Sequence, residues 1–201
     1  MVSREEIEKL LKVEGKVKGV VFQTDAYYVL QKEGEEGLKK LEKVVKEFNL
    51  PIDYRTKKAL DFHPVGLRVV SLLLIKNVFG WPDQEIRNMG YVAPTVSFIV
   101  KLLMRFFVEF KKFMDEVPVY WEKHYTVGKL ETVYLNDETK EATIRLSDLK
   151  LHPLFCLYLE GYFERIYQFI VGKEGKCKET QCMFKGAPFH EYVFWLEKRK
   201  K

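Results

Sequence analysis

The chain has few cysteines, little excess of charge of either sign and no long apolar run, and each shortage removes a class of protein. Its 201 residues hold three cysteines, Cys156, Cys177 and Cys182. An odd set does not close into a full disulfide framework, and the start Met-Val-Ser-Arg-Glu-Glu is no charged-then-apolar leader, so a reducing, cytoplasmic setting is expected. The longest apolar stretch, Val69 to Ile75, is interrupted by Ser71 and falls far short of the roughly 20 residues that a membrane span requires. Basic and acidic residues nearly balance, 34 against 29, and four of the positives form the terminal Lys198-Arg-Lys-Lys201. That balance predicts no nucleic-acid partner.

Catalytic signatures are missing as well. No Gly-x-Ser-x-Gly elbow is present. Lys32-Glu-Gly-Glu-Glu-Gly37 follows a helix rather than a strand and carries acids where phosphate would sit. Asp61-Phe-His63-Pro places an acid near an imidazole but reads as a cap and turn before the next helix. No catalytic residue is assigned, and no repeat or low-complexity linker divides the chain.

What the chain does have is aromatic mass. Apolar residues make up 47% and aromatics 14%, enough for a sizeable core with material left to line a cavity. Ser3-Arg-Glu-Glu6 is a capping box for a short helix. An extended segment, Val17 to Phe22, leads to a helix capped by Thr24 or Asp25, and a second helix runs from Leu38 to Leu50. Gly66 to Val78, apolar at nearly every position, reads as a deeply buried helix. Gly80 to Gly90 encloses a short one. A central helix is expected from Thr95 to Asp115, with Ser97, Lys101, Arg105 and Glu109 as a narrow polar stripe.

Beyond Pro118 the period changes. Leu130, Thr132 and Tyr134 alternate with their neighbours, as do Ala142, Ile144 and Leu146 across the turn residues Asn136-Asp137, which predicts an antiparallel hairpin. A helix from Pro153 to Val171 follows, then a second hairpin from Gln181–Phe184 and Phe189–Leu196. The fold class is α+β in one domain: a helical part, 1–117, a β-β-α-β-β antiparallel unit, 118–197, and a basic tail, 198–201.

Three segments resemble heme-NO/O2-binding (H-NOX) domains: Lys18-Gly-Val-Val-Phe, Trp81-Pro-Asp-Gln-Glu-Ile-Arg-Asn-Met-Gly90, and the Phe155 to Phe169 helix with its Leu159-Glu-Gly161 core. The Cys177-x4-Cys182-Met-Phe tail resembles the 4-vinyl-reductase small-molecule-binding domains, which share that fold. The resemblance implies an H-NOX-like domain with a ligand cavity. It departs from the family at the cofactor. The central segment, Val96 to Val117, has no histidine to serve as axial ligand, and the Tyr-x-Ser-x-Arg motif falls near Arg145-Leu-Ser147-Asp-Leu149, where only the Ser remains. These departures imply no heme, and His124 reads as a surface or strand-edge histidine.

The function expected is therefore the binding of a hydrophobic small molecule in a sensory or carrier role. Phe98, Leu102, Phe106 and Phe110 of the central helix, with Phe155, Tyr158 and Tyr162, are the expected lining, and Tyr27 and Tyr91 are further polar groups; the rival is that these residues fill a compact core. Cys177 and Cys182 flank an apparent turn, and Cys156 and His190 would complete four zinc ligands. A Cys177/Cys182 redox pair and plain buried thiols are the alternatives. Two rival functions stay open: a cysteine-dependent or pigment-reductase-like enzyme accessory, and a zinc-stabilised module that forms a homodimer or meets a signalling partner.

Overall fold

A computed structural model describes residues 2–55, 58–97, 100 and 109–197. Helix α1 (Arg4–Leu11) starts where the capping box places it, with the Ser3 hydroxyl accepting from the Glu6 amide at 3.1 Å. Strand β1 (Lys16–Lys18) pairs antiparallel with β2 (Phe62–Pro64). Between them the two expected helices run end to end as α2 (Val20–Glu47), two helical pieces that meet at a non-helical break at Gly34 with φ +68°. Asp25 caps nothing; it is buried inside α2. Helices α3 (Gly66–Phe79) and α4 (Asp83–Val96) follow, so the short helix expected to stop at Gly90 runs on through Pro94.

Much of the central helix expected from Thr95 to Asp115 falls outside the described residues. Among the described residues α4 ends at Val96 and α5 spans Phe110–His124, passing straight through Pro118. Proline removes the amide that would bond the carbonyl four residues earlier. Here the freed Met114 carbonyl accepts from the Thr132 hydroxyl at 2.7 Å, so the helix continues and is tied to the sheet at the same point.

That sheet comprises β3 (Lys129–Asn136), β4 (Glu141–Ser147), β5 (Gly175–Gln181) and β6 (His190–Leu196), antiparallel in the order β3-β4-β6-β5. A bulge between Thr132 and Tyr134 breaks the expected alternation in β3 and leaves Val133 and Tyr134 exposed. The strand expected at 181–184 is displaced: β5 ends at Gln181, and Met183–Lys185 is a 3-10 turn.

Helix α6 (Pro153–Val171) lies against the sheet and organises the domain. It crosses α4 at a double glycine contact. A Cβ on Gly90 would sit 2.0 Å from the Tyr158 carbonyl oxygen, and one on Gly161 2.1 Å from the Arg87 carbonyl oxygen, so backbone meets backbone and only glycine fits. On another face, Glu160 and Glu164 accept from the Glu179 and Cys177 amides at 3.0 and 3.3 Å, and Gln168 donates to the Gly175 carbonyl at 2.8 Å. Four helical residues rise about 6 Å and two strand residues about 6.6 Å, so a stripe at every fourth position of α6 matches alternate residues of β5. The helix thereby bonds a strand edge that would otherwise be open. Arg87 of α4 clamps the stripe, donating to Glu160 at 2.7 Å and Glu164 at 2.8 Å.

Candidate functional site

Between α4, α5, α6 and the inner face of the sheet lies a cavity of about 110 Å³. Its wall is aliphatic and aromatic, with Val21, Phe113, Trp121, Leu130, Phe163 and Phe194 among its members. Dry apolar cavities of about 150 Å³ take up benzene-sized molecules. The lining residues that keep some exposure are Val117, Tyr120 and His124 of α5 and Tyr162 and Ile166 of α6, which places the described mouth between these two helices.

Polar groups reach the cavity at one end. Trp121 stacks on Tyr125 with centroids 4.2 Å apart and donates its indole N–H to the Val127 and Gly128 carbonyls. Behind Tyr158, with its guanidinium 4.2 Å from the ring centre, lies Arg68, fully buried and donating from Nη1 to Asp25 at 2.5 Å. Ser71 donates to the same carboxylate oxygen at 2.6 Å. Burial pushes the Asp25 carboxyl up against the pull of Arg68. His124 Nδ1 lies 2.9 Å from the Tyr120 carbonyl, so Nδ1 carries the hydrogen and Nε2 keeps its lone pair. Burial above all, then Lys18 and Lys123, hold this imidazole below its ordinary pKa against the pull of that carbonyl, which favours the neutral form.

A second cluster sits on the far side of α6. Cys156 Sγ is 4.0 Å from Cys182 Sγ and 3.6 Å from His190 Nδ1, which is 3.0 Å from Glu179 Oε1. All four donor atoms lie within 4.8 Å of one another. Two thiolates on a tetrahedral zinc stand about 3.8 Å apart, so this donor set fits the ion. Burial, then Glu179 and Cys182, push the Cys156 thiol up, and a cation would have to displace its proton.

Cys177 is not in this group, which corrects the expected ligand set. The segment read as a turn is strand β5, and five extended residues carry Cys177 about 16 Å from Cys182. Its thiol is buried and pushed well up by desolvation, and its amide bonds Glu164. That separation also removes the Cys177/Cys182 redox pair.

The expected pocket residues divide. Tyr158 and Tyr162 line the cavity. Phe155 stacks on Tyr158, 6.4 Å between centroids, one layer behind the wall. Phe110 packs on Tyr167 away from it. Phe98, Leu102 and Phe106 lie outside the described residues. Tyr27 is exposed, and the Tyr91 hydroxyl donates to Gln168.

Solved structures match this arrangement along nearly the whole chain. An H-NOX protein from S. oneidensis in the Fe(II)NO state covers 90% of this chain and 99% of its own, with 15% identity and a TM-score of 0.66. An Fe(II) unliganded H-NOX mutant from K. algicida covers 90% and 97%, with 10% identity and a TM-score of 0.64. A protein solved in work on tuning heme redox potential through porphyrin distortion covers 89% and 99%, at 11% and 0.61. This chain has the H-NOX fold. No protein-family model and no curated protein sequence matches it.

The matches overturn the expectation that heme is excluded, because H-NOX proteins that align with nine-tenths of this chain are solved in iron(II) states and a further match comes from work on heme redox potential. The residues present answer part of what such a group needs. His124 is the one histidine on the described cavity wall, its pKa lowered by burial and its Nδ1 held by a backbone carbonyl; a backbone bond of that kind orients metal-binding imidazoles. His124 stays partly exposed beside the Val17–Tyr125 bridge, as expected of a surface or strand-edge histidine, and it also lines the cavity. Space is the stricter criterion, since small-molecule pockets run about 300–1,000 Å³ and the walls must part to admit a macrocycle.

Sequence reasoning missed Glu179 as a donor and missed the Arg87, Glu160 and Glu164 clamp. The signal was present: Glu160, Glu164 and Gln168 recur every fourth residue in an otherwise apolar helix.

Proposed function

We propose that this chain is a small-molecule-binding domain with a sensory or carrier role, its occupant lodged in the cavity between α5 and α6. The observation that carries the reading is unfilled apolar volume inside a fold whose remaining faces are tightly bonded. A close-packed core leaves few voids larger than water. Native mass spectrometry of the purified protein tests it: a co-purified compact ligand or heme supports the reading, and an empty protein that takes up neither benzamide nor hemin overturns it.

Heme is the second reading, favoured by His124. Bound there, heme would supply an iron able to take a small ligand, with His124 the residue that would hold it. The chain's part is to present Nε2 with its lone pair and to exclude water with Trp121, Phe113 and Met114. Titration with hemin is expected to give a Soret band that His124→Ala weakens; a band indifferent to that change removes His124 from the role.

The cluster of Cys156, Glu179, Cys182 and His190 is proposed as a structural zinc site. Its donors are shared by α6, the end of β5 and the start of β6, so an ion there pins the C-terminal hairpin to the helix that borders the cavity.

A further inference from the structure

The described cavity wall carries no lysine, arginine, aspartate or glutamate, so it offers nothing to an ionic group in its interior. At the His124 end the surroundings change. The antiparallel bridge between Val17 and Tyr125 puts Lys18 across from His124. Lys123 precedes His124 on α5, with its ammonium 5.0 Å from the centre of the Tyr120 ring, itself part of the wall. The other described contact of Lys18 is also a ring face, Phe62 at 5.7 Å. Both ammonium groups act electrostatically on His124, so two cations from separate elements flank this end of the wall.

A basic last turn complements the dipole of any helix, which accounts for Lys123 alone. Lys18 comes from β1, where it lies across from Phe62, and from there it acts on His124 as Lys123 does. The nearby acid, Glu116, acts on the Tyr120 hydroxyl from one turn earlier, so the positive end of the mouth is the His124 end.

We propose that the occupant is a compact amphiphile, with an apolar body of about benzene size in the cavity and a carboxylate at the rim between Lys18 and Lys123. This rests on the reading of the cavity as a ligand site. The neutral imidazole presents Nε2 as an acceptor, so the two ammonium groups hold the anion and His124 forms the wall between them. Exposed lysines set a modest effect.

Calorimetric titration with a matched pair, benzoate and benzamide, tests the rim apart from the cavity. The unaltered protein is expected to bind benzoate about five- to tenfold tighter than benzamide, consistent with two partly exposed ion pairs. In the Lys18→Gln, Lys123→Gln double variant the preference should vanish with benzamide binding unchanged, and added salt should shrink it in the unaltered protein. Equal affinity for the two probes, or a preference that survives in the double variant, overturns the carboxylate and leaves the cavity reading standing. Failure of both probes to bind overturns the carboxylate proposal, and the cavity reading falls with it when hemin is not taken up either.

Discussion

On one side of α6, Tyr158, Leu159, Tyr162, Phe163 and Ile166 border unfilled apolar volume. On the other, Glu160, Glu164 and Gln168 bond Arg87 and the edge of β5 within 3.3 Å. The polar side is where the fold is fixed. A buried carboxylate that loses its partners keeps the full cost of its desolvation, so α6 has one register on β5 and the glycine crossing sets its depth on α4. The cavity side is free to vary because dispersion contacts are individually small and nothing there is left unpaired when a side chain shifts. Rigidity on one face permits adaptability on the other.

The comparison is broken most directly by substitution on each face. Glu160→Ala leaves Arg87 half-paired and the Glu179 amide open, and should lower unfolding free energy by about 3 kcal/mol. Ile166→Met, a swap of similar volume on the cavity side, should cost less than about 1.5 kcal/mol. Urea unfolding measures both, and comparable losses would mean that the cavity face is as closely packed as the polar one.

The metal cluster sharpens the contrast because it extends the polar side to the start of β6. Zinc near one per chain is expected in the purified protein. Cys182→Ser should remove it, whereas Cys177→Ser, on the strand but outside the cluster, should keep it. Loss of zinc from both variants, or from neither, would reject the donor set proposed here.

How far the sequence spoke for itself depended on the range of the interaction. Helix α6 was legible from Pro153 to Val171 because its start and stop signals are local: proline in the first turn and glycine beyond the last. The first hairpin was legible from alternation, apart from the bulge at Val133, which no periodic pattern announces. The path of α5 through Pro118 was not, because what makes proline tolerable there is the Thr132 hydroxyl on a different element. The spacing of Cys177 and Cys182 misleads for a related reason: Lys-Glu-Thr-Gln is polar enough to resemble a turn, and only its pairing with β6 and the bonds from α6 make it a strand. His124 lies beyond Asp115, where the helical period ends, and only the continuation of α5 through Pro118 brings it to the cavity wall.

The smallest effect is the pH dependence of the polar face, and its sign is fixed. Burial raises the Glu160 carboxyl, but Arg87, the Glu179 amide and Lys178 outweigh burial and hold it below its ordinary value of 4.5. A group with a depressed folded pKa contributes stability above its unfolded pKa and loses it as pH falls through the folded one. The unfolding midpoint should therefore decline below about pH 4.5. Glu85 and Glu191 are lowered as well, by Lys32 and Tyr28 and by Arg145 and Thr180, each against burial, so the part that belongs to α6 is the difference between the protein and Glu160→Gln. That difference should be widest near neutral pH and close toward pH 3. A constant difference across the range would mean that folding leaves the Glu160 pKa unshifted, so that the charges of Arg87 and Lys178 add nothing to the hold of α6 on β5 that a neutral amide does not supply.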